Sequence, residues 1–460
     1  MSDPSSSLTR RDFLSTSAKL GAFIAAAPYI ARSAETAKSD QLNVALIGCG
    51  AQGGVLLNAA LKIPNIRFKA VCDVWPYKST YAERLLKKFD HDPKVYEDYR
   101  ELLSAHPELD AVIIATPDFK HAEHTVAALK AGKHVYCEKL MSNTIEGARS
   151  MVVAARESKK LLQLGHQRRS NPRYQHAKDK IVTGNRLLGR VTNISGEWHR
   201  AVSDDLGFPA GKGLSEAKLN QYGFANMHEF CNWRWFKKYA GGPMSDLGAH
   251  QIDVYNWMLG VNPRSCMASG GVDYYKTHEW YDNAIAIFEY PTKEGVVRAT
   301  YNVLTTTSAG GGYHEYFMGD EGALKISENP KATKLYREAR APEWDEWVTK
   351  GIVASPLSGE GAPAPVKPWE KLGVKKLGGP SKSTVDVRET AALSAWDIPV
   401  TLDKAIHQPH LENFFDAIRH GTPLNCPGES AFATAVTILK INESIAAQKQ
   451  LSFTPGDFTA

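Results

Sequence analysis

The sequence lacks most features that would settle its class at a glance. Its six cysteines (Cys49, Cys72, Cys137, Cys231, Cys266 and Cys426) form no CxxC pair and no zinc spacing, so they read as small core hydrophobes rather than a disulfide framework. The net charge of +5 over 460 residues comes with no basic block, which leaves no case for nucleic acid or a membrane surface as partner. His121-x-x-His124 lacks both the HExxH pattern and a third ligand, so no metal is assigned. Internal repeats are absent.

What is present begins with a leader. In SLTRRDFLSTSAKLGAFIAAAPYIARSA (residues 7–34), paired Arg10 and Arg11 precede a weakly apolar stretch from Leu20 to Ile30 and the small residues Ala31 and Ser33. That layout is a removable targeting peptide, and the adjacent arginines point to the twin-arginine route, which carries folded cargo. The stretch contains Pro28 and falls short of the roughly 20 residues a spanning helix needs. Residues 1–34 are therefore expected to be a signal peptide without a membrane anchor, and the mature protein is expected in the periplasm.

From residue 42 onward, short apolar runs alternate with helical stretches: LNVALIGCG (42–50), FKAVCDV (68–74), AVIIATP (111–117), HVYCEK (134–139) and LLQLGHQ (161–167). Strands of this kind are buried on both faces, and the alternation predicts an α/β, doubly wound parallel sheet over 41–168. Past residue 168 the runs are longer and β-branched, as in GRVTNISGEWHRA (189–201), DNAIAIFEYP (282–291) and GVVRATYNVLTTT (295–307), with turns at 292–295 and 319–322. They predict an α+β domain over 169–460 with an open, largely antiparallel sheet, closed by amphipathic helices near the C-terminus. Residues 340–400, rich in Pro, Gly and Ser, read as a long surface excursion or an arm over a neighbouring subunit. Ile285, Ile287, Phe288 and Tyr301 put apolar side chains on the open sheet, which predicts a homo-oligomer, a dimer or tetramer, built through that sheet.

Gly48-Cys49-Gly50-Ala51-Gln52-Gly53 lies between a buried strand and a helix, the context a dinucleotide fingerprint requires. Its glycines allow the tight turn and the close approach of a pyrophosphate to the helix N-terminus. Asp73, 20 residues after Gly53, stands where a carboxylate accepts the hydroxyls of an adenine ribose. It would repel a 2′-phosphate, so NAD is favoured, while Lys78 nearby leaves room for NADP.

ATPDFKHAEHTVAALKAGKHVYCEK (115–139), followed by GGPMSDLGAHQIDVYNWMLG (241–260), resembles the glucose–fructose oxidoreductase/inositol dehydrogenase/MocA (Gfo/Idh/MocA) family. The resemblance covers most of 42–335 and the terminal helices, and is weakest at 201–232 and 340–400. It implies a Rossmann domain followed by an open-sheet domain, with substrate held between them. It also implies Thr116, Pro117 and His121 along the dinucleotide, and Glu138 and Lys139 as a Glu-Lys-Pro motif whose lysine reaches nicotinamide and substrate. Leu140 replaces that proline. A cis bond there would cost about 2.5–4 kcal/mol, so a trans peptide is expected.

The resemblance further implies Asp246 and His250 as the partners of Lys139 in the catalytic set. Their i, i+4 spacing sets them on one helix face, with Leu247, Val254 and Met258 on a core-facing stripe. Histidine can take a proton from a hydroxyl as hydride leaves the carbon, with Asp246 orienting the ring and raising its pKa somewhat above ~6.5. Gln167 is placed at the cofactor. Arg168, His199, Arg234 and Trp235 are candidates for the substrate side, with Trp198 beside them.

A nicotinamide enzyme outside the cytoplasm must carry its cofactor with it and return every hydride it takes. The expected function is an exported oxidoreductase acting on a sugar, polyol or glycoside hydroxyl with tightly bound NAD. The alternative is a redox-neutral, NAD-dependent glycosidase, with Tyr222, Tyr239 or His199 as the extra base. A non-catalytic dinucleotide-binding protein is the third reading.

Overall fold

The computed structural model describes residues 40–309, 312–354, 393 and 395–460; the leader lies outside them. Strands β1 (Leu42–Ile47), β2 (Ile66–Cys72), β3 (Lys94–Tyr96), β4 (Ala111–Ile114), β5 (His134–Cys137) and β6 (Leu162–Leu164) form one sheet in the order β3-β2-β1-β4-β5-β6. Every pairing in it is parallel. The register pairs Ile47 with Cys72 and with Ile114, and Ile114 with Cys137. The C-terminal ends are therefore level, and the crevice lies where the order reverses between β1 and β4.

Both faces of this sheet are buried, as the apolar runs demand. Ala45 and Ile47 of β1 join the core shared with α4 (Asp118–Lys130) and α5 (Ile145–Ser158). Val44 and Leu46 point the other way, toward α1 (Ala51–Ala60) and α2 (Pro76–Lys87), where α3 is the short helix Tyr99–Ala105 at the sheet edge. That second core also takes Leu411, Phe414 and Phe415 from the helix Gln408–His420. A helix expected with the second domain thus completes the first. Each of the three buried side chains contributes about 1.5–3 kcal/mol from area removed from water, which holds the chain's return across the sheet.

The second sheet has nine strands: β7 (Val191–His199), β8 (Ser265–Gly271), β9 (Asn283–Thr292), β10 (Gly295–Leu304), β11 (Tyr313–Gly319), β12 (Gly322–Ile326), β13 (Lys334–Arg337), β14 (Ala395–Trp396) and β15 (Leu451–Ser452). All pairs are antiparallel except β7 with β10. One face is covered by α6 (Ala249–Leu259), whose Tyr255 hydroxyl fills the space beside Gly196. Phe288 and Tyr301 lie on this covered face and are fully buried, which corrects their placement on the open side. Ile285 and Ile287 do face outward, 48% and 40% exposed, beside Met267, which is paired with Ile287.

The flanks of the expected excursion at 340–400 also differ from a surface segment. Trp344, Val353, Trp396 and Ile398 are buried in the main core, and β14 adds Ala395 and Trp396 to the sheet edge. Residues 355–392 and 394 lie outside the described residues.

Candidate active site

The site is assembled from the level ends of the parallel strands. Gly48 has φ +94°, and a Cβ there would stand 2.7 Å from the Ala115 backbone. At Gly53 a Cβ would stand 2.0 Å from the Gly48 carbonyl oxygen. Gly50 by contrast faces open space, with nothing within 4 Å of the same position, at the start of α1. A tight turn and one uncovered backbone position at a helix N-terminus make a cradle that fits a pyrophosphate. Asp73 braces the loop: its carboxylate accepts from the Cys49 amide at 2.7 Å and the Trp75 amide at 2.8 Å. Burial pushes its carboxyl up to about 6, against those two bonds and Lys78, which lower it.

Thr116 and Pro117 follow β4 into α4 and border the same crevice, but His121 does not reach it. Its two ring nitrogens lie 2.6 Å from the Leu140 and Thr116 carbonyl oxygens, and it is buried. It pins two strand ends together instead of lining the dinucleotide. Gln52 lies inside, donating to Glu138 at 3.1 Å and meeting His407 Nε2 at 3.1 Å. Ala51 is exposed on the first turn of α1. Glu138 also accepts from the Lys139 amide at 3.3 Å. The Lys139–Leu140 peptide is cis, where trans was expected. Leu140 is buried and its carbonyl is held by His121, contacts that no local pattern displays.

Lys139 Nζ donates to the Asp246 carbonyl and stands 3.9 Å from its carboxylate. Asp246 lies in a π-helical turn, Met244–Gly248, that runs into α6, where His250 sits one turn on. Leu247, Val254 and Met258 are buried on the expected stripe. The pair does not interact as expected. Asp246 turns to Arg234 Nε at 3.1 Å, Lys139, and Arg200 at 3.6 Å. Burial alone would raise its carboxyl, but these three cations hold it well below the usual range.

His250 is buried beneath Trp198, ring centroids 5.6 Å apart, and its Nδ1 has no partner among the described residues. Burial and then Lys139 and Arg168 drive its pKa well below the ordinary histidine value. The expected upward shift is thereby reversed, because the neighbouring charges are cationic and Asp246 is occupied elsewhere. The ring is neutral at neutral pH and lies in the field of the Lys139 ammonium, which fits a group that accepts a hydroxyl proton.

Several candidates fall outside this cluster. Arg168 is 1% exposed and pairs with Glu315 and with Glu328 at 3.2 Å, behind the stacked rings of Trp198 and Tyr313. Gln167 donates to Glu328 at 3.1 Å beside it. His199 points to the opposite face of β7 from Trp198, its Nδ1 2.8 Å from the Ala309 carbonyl oxygen. Trp235 stacks on His278 at 4.4 Å. Tyr222 is bound to Glu97 at 2.5 Å, and Tyr239 to the Gly223 carbonyl at 2.7 Å and Glu229 at 2.8 Å, so neither hydroxyl is available as a base.

Sequence reasoning missed Arg200, Asp118 and His407. Arg200 follows Trp198 by two residues, so strand alternation could have set it on the same face. Asp118 is buried near Lys139 and Arg234, and burial lifts its carboxyl to about 7. His407 arrives from the far end of the chain, and no local signal marks it.

Residues 42–166 match the oxidoreductase family with an NAD-binding Rossmann fold, GFO_IDH_MocA, and residues 174–325 match the GFO/IDH/MocA C-terminal domain. Among curated relatives, an inositol 2-dehydrogenase of Rubrobacter xylanophilus is 30% identical over 43% of this chain and 53% of its own length. A levoglucosan dehydrogenase of Pseudarthrobacter phenanthrenivorans is 28% identical over 51% of this chain and 58% of its own. The matches thus span little more than half of these relatives. The crystal structure of an aldose–aldose oxidoreductase from Caulobacter crescentus shares the fold at a TM-score of 0.64, with 16% identity over 90% of this chain and 100% of the other.

Proposed function

Since the chain belongs to the Gfo/Idh/MocA family of oxidoreductases and carries its NAD-binding Rossmann domain, we propose that it oxidises a hydroxyl of a sugar, polyol or glycoside, and returns the hydride to a second substrate. The observation that carries this is the meeting of Lys139, Asp246 and the neutral His250 at the end of β5. NAD supplies the hydride acceptor when bound in the Gly48–Gly53 cradle, with Asp73 at its adenosine ribose. His250 takes the hydroxyl proton, and Lys139 stabilises the alkoxide as it forms. Asp246 fixes Lys139 through its carbonyl and carboxylate. The curated relatives named above act, by their names, on inositol and levoglucosan, both polyhydroxylated rings.

Retention of the cofactor is part of the same proposal. Residues 203–239, which take in most of the stretch 201–232 where the family resemblance is weakest, fold over the ends of the Rossmann strands. Trp75 donates to the Lys212 carbonyl at 2.6 Å and meets Phe230 edge-on, while Lys218 and Tyr222 both bind Glu97. Leu219, Phe224, Met227 and Tyr239 bury themselves with Trp75, and Phe119 packs against them. A strap anchored this way next to Asp73 slows exchange of the adenosine end. That suits a protein exported folded through the twin-arginine route to the periplasm, a reading supported by Arg10, Arg11 and the stretch after them. Self-association through the outward face of β8 and β9 completes the reading. The glycosidase alternative has none of its three base candidates at the site, and Lys139 and His250 together argue against a purely storage role.

The test is mass spectrometry of the purified protein for bound dinucleotide, followed by single-turnover absorbance with a panel of sugars, polyols and glycosides. Reduction of bound NAD by at least one compound is expected. Failure of the whole panel to reduce it overturns the reading.

A further inference from the structure

The arginines around the cleft fall into two kinds. Arg168 and Arg169 are buried and matched by carboxylates, the first by Glu315 and Glu328, the second by a two-pronged bond to Asp253 at 2.8 Å in each arm. Arg200 and Arg234 are not matched in this way. Among the described residues both turn to the single carboxylate of Asp246, which Lys139 also claims. Three cations thus share one anion, and Asp118, a buried carboxyl raised to about 7, lies within the field of Lys139 and Arg234.

Both guanidinium groups are oriented and reachable. Arg234 lies over the Trp233 ring at 4.4 Å and Arg200 over the Trp198 ring at 5.4 Å. Their side chains are 37% and 47% exposed. Arg234 spends its Nε–H on Asp246 at 3.1 Å, Arg200 meets the same carboxylate only as an ion pair at 3.6 Å, and both keep donors of the five-donor fork to spare. They stand at the Lys139–Asp246 end of the crevice, where their carboxylate partner is Asp246. His250, its Nδ1 orphaned, lies under the same Trp198 ring that Arg200 covers.

Resting on the oxidoreductase reading above, we propose that the substrate is an acidic sugar, whose carboxylate seats on Arg200 and Arg234 while a ring hydroxyl lies at Lys139 and His250. A carboxylate matches the planar fork of a guanidinium in two-pronged fashion and carries the single charge that balances the cluster when Asp118 is ionised. Trp198, half-buried and stacked on Tyr313 at 4.4 Å, offers its remaining exposed edge as the apolar contact for the ring.

The experiment uses the full chain with its bound NAD and follows single-turnover reduction by matched pairs: glucuronate against glucose, and galacturonate against galactose. Glucose 6-phosphate and one neutral polyol, inositol, complete the set. The uronates are expected to half-saturate at least tenfold lower than their neutral partners. That advantage is expected to shrink with added salt, and in Arg200→Gln the uronate-to-aldose ratio falls at least tenfold. Arg234→Gln moves it the same way, and because Arg200 is half exposed its variant stays folded and carries the test. An equal or better response to the neutral partner, a ratio unmoved in Arg200→Gln, or a preference for the phosphate over the uronate each overturns the assignment of a carboxylate while leaving the oxidoreductase reading standing. Silence from every compound, charged and neutral, overturns the oxidoreductase reading, and this proposal with it.

Discussion

Lys139 and Asp246, 107 residues apart, are joined twice: the ammonium donates to the Asp246 carbonyl and lies 3.9 Å from its carboxylate. The first bond sets the lysine's position and the second its charge balance. Lys139→Ala is expected to cut single-turnover reduction about 10²–10³-fold, the cost of losing one preorganised charge at a developing alkoxide. Lys139→Arg should not restore it, because a planar fork cannot occupy the place of a point charge. Asp246→Asn leaves three cations facing one another and should destabilise the fold by about 1.5–3 kcal/mol in urea titration. Asp246 has a lowered folded pKa, so its contribution is present above the unfolded value of ~3.9 and disappears as pH falls below it.

For His250 the expected consequence is a missing acid limb. A histidine whose pKa is lowered stays deprotonated on the acid side of 6.5, so proton acceptance by it does not titrate between pH 6 and 8. Asp118, raised to about 7 beside Lys139 and Arg234, is the carboxyl of this cluster that titrates there. Single-turnover profiles of wild type and Asp118→Asn separate them: a limb near 7 should vanish in the variant. One that persists at or above 6.5 would show that His250 is not held below its ordinary value. His250→Ala should lower the rate about 10²–10⁴-fold and leave NAD in place.

Two glycines of the cradle should respond oppositely. Gly48→Ala meets the Ala115 backbone at 2.7 Å from a positive φ, and should cost about 2–4 kcal/mol in denaturant midpoint measurements. Gly50→Ala meets nothing within 4 Å and should fold as wild type. Its new methyl stands where the pyrophosphate approaches, so dinucleotide recovered after purification should fall.

The strap gives a kinetic prediction. Tyr222→Phe and Lys218→Ala remove the two bonds to Glu97. Together they should speed loss of bound NAD on dilution several-fold, with little change in the single-turnover rate of molecules still loaded. An unchanged loss rate would show that the strap does not hold the cofactor.

The outward face of β8 and β9 predicts an assembly. Met267 pairs with Ile287, and Ile285 continues the apolar row. Ile287→Lys should lower the mass seen in light scattering from an oligomer toward the monomer. A monodisperse wild-type monomer would sink the idea.

The Rossmann sheet was legible in the sequence because its signals are local: apolar runs of strand length, a glycine turn between strand and helix, a carboxylate closing the second strand. The covered stripe of α6 was legible for the same reason, since helical spacing alone aligns Leu247, Val254 and Met258. What each polar side chain does is not local. Asp246 and His250 share a helix, yet Asp246 is claimed by Lys139, Arg200 and Arg234 from three other segments, so the histidine's pKa moves opposite to what the pair alone dictates. Arg168 and His199 carry suitable chemistry for a substrate site, but burial against Glu315 removes the first and strand alternation turns the second to the far face. Period-two and period-3.6 patterns determine which elements form and which stripe is apolar. Which charges meet is decided by contacts tens to hundreds of residues apart, through the closure of the strap, the return of Gln408–His420 and the crossing of the second sheet, and only the folded chain brings those together.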